Sequence, residues 1–233
     1  MASSPPLRKV AIFDIDGTIF RSSLLIELVD TLIREGVFPS GARKEYERLH
    51  EKWLNREDDY QRYLDAVVET FYRYLKGVYY GDFKDVCKKV VEMQHRRVYR
   101  YTRDLIAELR KKNYFLLAVS QSPKTILDLF ATKHGFDKVY GRVYELGASD
   151  RFTGEVVDLH LIANKANVVK RAVEKEGLTL TGSIGVGDTE GDIAFLEMVE
   201  KPICFNPNQK LYRWAKRNNA KVVVERKDVI YQL

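Results

Sequence analysis

Among its 233 residues the chain has only two cysteines, Cys87 and Cys204, far apart and without a CxxC pair. That excludes a disulfide framework and a cysteine zinc site, and leaves two buried thiols in a reducing compartment as the expectation. Histidine is also scarce: His50, His95, His134 and His160 show no metal-ligand spacing. No apolar run approaches the length of a membrane span. The opening residues Met1 to Lys9 contain no apolar signal core, so the expectation is a cytoplasmic protein with no membrane insertion. Internal repeats and low-complexity tracts are absent as well.

What is present is ordinary globular material, with 45% hydrophobic and 31% charged residues. The formal net charge of +6 favours anionic partners, among them phosphorylated metabolites, nucleic acid and acidic lipid. It does not choose among them.

The chain alternates between two periodicities. Val10–Phe13 is a short apolar run expected to be a buried parallel strand. From Ser22 the pattern turns helical, with Leu24, Leu25, Leu28, Val29, Leu32 and Ile33 at three- and four-residue steps. Between residues 42 and 97 no strand is expected, only three or four helices, with Asp82 a candidate N-cap. Alternation then resumes. Helices are expected near 102–112, 123–134, 164–176, 191–199 and 208–218. Strands are expected at Tyr114–Val119, through Gly182–Gly187, and at Pro202–Phe205 and Lys221–Val224. Val139–Tyr144 and Phe152–Val157 read as a hairpin. Strands interleaved with helices predict a doubly wound parallel α/β sheet. The helical stretch leaves the first strand at its carboxyl end, where ligands of open α/β sheets bind.

Four points along the chain carry chemistry. Asp14-Ile15-Asp16-Gly17-Thr18 ends the first strand with two carboxyls and a main-chain carbonyl near one point, an oxygen-rich set suited to a hard cation such as Mg2+. The same letters also fit a plain Asp-Gly turn. Ser120 closes the next strand, and Gln121-Ser122-Pro123 precedes a helix whose N-terminus would cradle a phosphate; a simple N-cap serine is the alternative. Lys165 opens a helix, where its charge opposes the dipole and hints at an anion. Gly187-Asp188-Thr189-Glu190-Gly191-Asp192 places carboxylates four apart at a strand-to-helix turn. There Asp188 could complete a metal site and Asp192 support it, unless the pair is only an acidic helix start.

In this order, Asp-x-Asp, Ser, Lys and Gly-Asp-x-x-x-Asp, the chain resembles the haloacid dehalogenase (HAD) superfamily of phosphohydrolases over residues 9–233. The nearest likeness is to its subfamily IB, the phosphoserine phosphatase-like branch. The resemblance implies a Rossmann-like α/β core from residues 9–20 and 98–233, with an inserted all-helical cap of the C1 type at 21–97. It implies Asp14 as nucleophile, forming an aspartyl-phosphate, and Asp16 as acid and base. Mg2+ would be held by the Asp14 carboxylate, the Asp16 carbonyl and the Asp188 carboxylate. Lys165 is implied as a catalytic residue, with Ser120, Gln121 and Lys165 on the phosphoryl group, and Thr18 and Asp192 in support.

Two departures bear on substrate. The branch usually has a glutamate that recognises the substrate amine; its place falls at Ser23 here, with Glu27 one turn later, which argues against phosphoserine itself. The glycine pair expected after the serine is Gln121-Ser122. The expectation is therefore a Mg2+-dependent phosphomonoesterase for a small phosphorylated metabolite. The alternatives are a phosphotransferase or mutase with the same intermediate, or a nucleic-acid end-phosphatase. The last has no recognised nucleic-acid motif behind it, and the sequence is silent on oligomeric state.

Overall fold

The computed structural model describes residues 7–233, so all but the last residues of the N-terminal leader lie outside the described residues. The chain runs β1 (Arg8–Phe13), α1 (Leu24–Arg34), α2 (Glu47–Leu54), α3 (Tyr60–Leu75), α4 (Tyr80–Gln94), α5 (Arg100–Lys111) and β2 (Phe115–Pro123). It continues with α6 (Lys124–His134), β3 (Lys138–Leu146), β4 (Phe152–Val157), α7 (Leu159–Ile162), α8 (Lys165–Glu176) and β5 (Leu178–Gly187). The last elements are α9 (Ile193–Leu196), β6 (Lys201–Phe205), α10 (Gln209–Arg217), β7 (Lys221–Arg226) and β8 (Val229–Gln232).

One eight-stranded sheet has the order β4-β3-β2-β1-β5-β6-β7-β8. The six inner strands are parallel, and the edge strands β4 and β8 run antiparallel to their neighbours. Side chains of β1 alternate between two apolar layers. Ala11 and Phe13 pack with α1, α3, α4, α5 and α6, while Val10 and Ile12 pack with α8, α9 and α10. Both faces are therefore covered, as a near-continuous apolar strand demands. Each fully buried Ile or Phe in these layers contributes roughly 1.5–3 kcal/mol.

The strand order decides where a site can form. From β1 the chain builds outward through β2 and β3, then returns to the other side of β1 with β5. That reversal is a topological switch point, which opens a crevice at the carboxyl ends of β1, β2 and β5. Register brings the three ends level: Phe13 pairs with Ala118 and with Val186, so Asp14, Ser120 and Asp188 all fall just past the pairing.

The helical stretch between β1 and α5 does not stand apart from the sheet. The hairpin of β3 and β4 docks on the turn between α3 and α4, where Gly77 N–H donates to the Phe152 carbonyl (2.8 Å) and Phe152 N–H to that of Val78 (3.0 Å). Phe83 stacks edge-on against Phe152 at 5.0 Å, and Phe71 against Tyr144 at 5.4 Å. The hairpin expected from the sequence is present, and these contacts give it a partner.

Several local expectations are corrected. Tyr79, not Asp82, is the N-cap of α4, because the extended backbone ends at Tyr79 and Asp82 falls inside the first turn. The helix expected over 191–199 shrinks to a 3-10 turn at Glu190–Asp192 followed by α9, since a reciprocal capping box between Thr189 and Asp192 tightens the start. Strand β2 extends to Pro123, so Ser120 lies within a strand and is not an N-cap. Strand β8 was not expected: Val229-Ile230-Tyr231 is a short apolar run, and it becomes a strand by pairing antiparallel with β7.

Candidate active site

At the end of β1 the Asp14 N–H donates to the Val186 carbonyl of β5 at 2.9 Å, and the chain then turns. Gly17 makes this turn possible. Its φ is +80°, and a Cβ there would lie 2.2 Å from Asp188 Oδ2. The turn brings the first loop directly against the end of β5, and Thr18 Oγ1 donates to Asp188 Oδ1 at 3.1 Å. Thr18 is fully buried, and its carbonyl accepts from Thr102 Oγ1 of α5 at 3.0 Å.

Lys165 reaches into this cluster from the first residue of α8. Asn164 caps that helix by accepting from the Ala166 N–H at 2.9 Å, which leaves the lysine free to point inward. Its ammonium donates to Asp14 Oδ1 and, at 2.6 Å, to Asp192 Oδ1. All three side chains are at most 7% exposed. The other oxygen of Asp192 accepts from the Asp188 N–H (2.9 Å) and the Thr189 N–H (3.0 Å), so both its oxygens are committed.

Asp16 is held from three directions. Its Oδ1 accepts from the Leu24 N–H at the start of α1 (2.5 Å), and its Oδ2 from Ser120 Oγ (2.6 Å) and Ser122 Oγ (2.8 Å). Ser120 Oγ also accepts from the Ser122 N–H at 2.9 Å. The departure from a glycine pair at 121–122 thus supplies an extra hydroxyl to Asp16. Sequence reasoning gave Ser122 no such part, and its position two residues after Ser120, on the same strand face, was the available signal.

Gln121 does line the cavity, but its side-chain amide is engaged elsewhere. Its Nε2 donates to the Ile162 carbonyl (2.7 Å), and its Oε1 accepts from Arg142 Nε (2.9 Å). Ser23 is buried at the cavity wall, whereas Glu27 pairs with Arg97 at 2.7 Å and does not line it. The cavity holds about 420 Å3 and lies between the carboxylate cluster and residues of α1 and α3, including Leu25, Tyr60, Leu64, Val68 and Tyr72. Tyr60 and Tyr72 line the cavity from the aromatic-rich helical stretch, and Arg142 is a cavity residue that the sequence reading did not single out.

Four carboxylates and one ammonium meet here. Burial pushes the Asp14 carboxyl up to about 8; the charge of Lys165 opposes this, and those of Asp192 and Asp16 add to it. Asp188 is likewise raised, first by burial and then by the charges of Asp14 and Asp192. Burial works against the charge of Lys165, yet Asp14 and Asp192 hold it above the usual lysine range. Carboxylate oxygens of Asp14, Asp188 and Asp192 all lie within 4.8 Å of one another. Such an excess of buried negative charge fits a bound cation. The Asp16 carbonyl, which accepts no backbone hydrogen bond among the described residues, adds a further free oxygen at the turn. The expected ligand set named Asp16 in place of Asp192; the latter's oxygens are already taken by backbone N–H groups and Lys165.

Known proteins resemble this chain in sequence and in fold. The family model for haloacid dehalogenase-like hydrolases matches residues 11–197. A phosphoserine phosphatase of Archaeoglobus fulgidus is 23% identical over 207 residues, covering 88% of this chain; the chain spans only 54% of that protein's length. A protein of unknown function from Bordetella pertussis superposes with a TM-score of 0.70 at 20% identity, covering 93% of this chain and 98% of that one. A phosphoserine phosphatase solved as an analogue of its phospho-aspartyl intermediate superposes with a TM-score of 0.62 at 19% identity, covering 96% of each chain. The chain belongs to the haloacid dehalogenase-like hydrolases.

Proposed function

We propose that the chain is a Mg2+-dependent phosphomonoesterase that works through an aspartyl-phosphate on Asp14. The observation that carries this reading is the buried Asp14 carboxylate, with one oxygen on Lys165 and with Asp16 two residues away in a separate hydrogen-bond cradle. Two carboxyls so close and so differently surrounded suit two different tasks.

An oxygen of Asp14 attacks phosphorus as the bond to the leaving alcohol oxygen breaks, and Asp16 gives that oxygen its proton. Asp16, now a carboxylate, takes a proton from water. The hydroxyl attacks phosphorus, the bond to Asp14 breaks, and inorganic phosphate leaves. Lys165 binds phosphoryl oxygens and keeps Asp14 oriented, and the Ser120 hydroxyl joins it by turning from Asp16, which Ser122 continues to hold. Asp14, the Asp16 carbonyl and Asp188 would hold Mg2+, with Asp192 and Thr18 fixing Asp188. The cation, when bound, offsets the repulsion between the attacking carboxylate and the phosphoryl group.

Residues 21–97 serve in this reading as a helical cap over a core made of 9–20 and 98–233. The Leu24 N–H on Asp16 joins the acid/base to the first cap helix, so closure and proton transfer are linked. The substrate is a small phosphorylated metabolite; the names of the similar phosphatases suggest phosphoserine, but Ser23 and the paired Glu27 offer no obvious carboxylate for its amine.

The test is Asp14→Asn with 4-nitrophenyl phosphate and Mg2+. Hydrolysis is expected to vanish while the circular dichroism spectrum is kept. Turnover at the unaltered rate would remove the nucleophile assignment.

A further inference from the structure

The cavity carries a cation that the proposed chemistry does not use. Arg142 of β3 is half-buried in the cavity wall and forms no ion pair among the described residues. Two of its nitrogens are spent on fixing it in place: Nε donates to Gln121 Oε1, and Nη1 donates to the Tyr72 hydroxyl. Gln121 is itself pinned by the Ile162 carbonyl, so the guanidinium is held by a chain of neutral partners. Its third nitrogen, Nη2, makes no hydrogen bond among the described residues. Neutral partners orient a charge without cancelling it, which leaves Arg142 poised for an anion.

The phosphoryl group has Lys165, beside Asp14, as its cation, and Arg142 sits further out, because its strand partner is Pro123, three residues past Ser120. Arg142 is held by Tyr72 of α3, on the cap side of the cavity, beside the apolar surface of Leu64, Val68 and Phe71. We propose that Arg142 docks a second anionic group of the substrate, making that substrate a phosphomonoester with an apolar body and a further carboxylate or phosphate. This rests on the phosphomonoesterase reading above.

The test compares three aryl esters with the wild-type protein and with Arg142→Met and Arg142→Lys. They are 4-nitrophenyl phosphate, 4-carboxyphenyl phosphate and 1,4-phenylene bisphosphate. Loss of a charge-assisted contact lowers kcat/KM by about tenfold or more. That loss is expected in Arg142→Met for one or both doubly anionic esters, with 4-nitrophenyl phosphate changed by no more than about twofold. Arg142→Lys should recover part of it. A loss confined to the carboxylate ester or to the bisphosphate identifies the second anion. An equal loss on all three esters, or none on either doubly anionic ester, would overturn the proposal. Failure of the wild-type protein to hydrolyse any of them would remove the phosphomonoesterase reading, and the proposal with it. Unchanged hydrolysis of 4-nitrophenyl phosphate also shows that the variants fold.

Discussion

Lys165 and Asp192 form a 2.6 Å ion pair with both side chains almost wholly out of solvent, and the same ammonium donates to Asp14. One lysine therefore serves two buried carboxylates that would otherwise repel each other. Lys165→Met should leave both charges without a counter-ion. Breaking a buried pair in this way costs about 3–5 kcal/mol, so the urea midpoint should fall clearly and phosphatase activity should be lost. Part of the stability should return with added Mg2+, read by denaturation with and without the cation.

The contact of Gly17 with Asp188 gives a second expectation. Alanine at 17 would adopt a left-handed backbone at a cost of about 1–2 kcal/mol, and its Cβ would meet Asp188 Oδ2 at 2.2 Å. Gly17→Ala should displace Asp188. Its signature is a weakened Mg2+ affinity, measured by calorimetry, together with a modest fall in stability.

Much of this site could be read along the chain because its residues lie at strand ends. The apolar run before Asp14 and the glycines before Asp188 mark where the sheet stops, and the strand order brings those ends together. Roles that depend on long-range contacts were not legible. Arg142 gains its place through Tyr72, 70 positions away, and through the side-chain oxygen of Gln121, 21 positions away. Strand β8 was missed for a related reason: the Val229-Ile230-Tyr231 run is too short to stand alone and becomes a strand only against β7. Asp82 looked like a cap from composition alone, while the backbone at Tyr79 decided where α4 begins.

Thr18→Val tests the link between the two ends of the cluster. The methyl preserves volume but removes the 3.1 Å hydrogen bond to Asp188 Oδ1, leaving that buried carboxylate with one donor fewer. Such a loss costs about 1–3 kcal/mol. Activity should become dependent on higher Mg2+ concentrations, with a smaller change at saturating cation.

Stability should also depend on pH in a way that the cation reverses. The folded pKa of Asp14 is raised from 3.8 to about 8, and that of Asp188 is raised as well. Between these values the folded, metal-free protein binds more protons than the unfolded chain. Their contribution to stability is therefore fully present below the unfolded value and is lost as pH rises through the folded one. The urea midpoint of metal-free protein should fall from about pH 5 to about pH 8, and added Mg2+ should raise it more at the higher pH. A Mg2+ effect of equal size at both ends would contradict the assigned carboxylates.

The central claim is that phosphorus becomes covalently attached to Asp14. The most direct measurement is borohydride trapping during turnover of 4-nitrophenyl phosphate, followed by mass spectrometry of the peptide that spans β1 and the Asp14–Thr18 turn. An acyl phosphate reduced in this way leaves homoserine in place of aspartate. The account predicts homoserine at position 14, dependent on substrate and absent from Asp14→Asn. Unmodified Asp14 during sustained turnover, or homoserine at Asp16 or Asp188 instead, would contradict it.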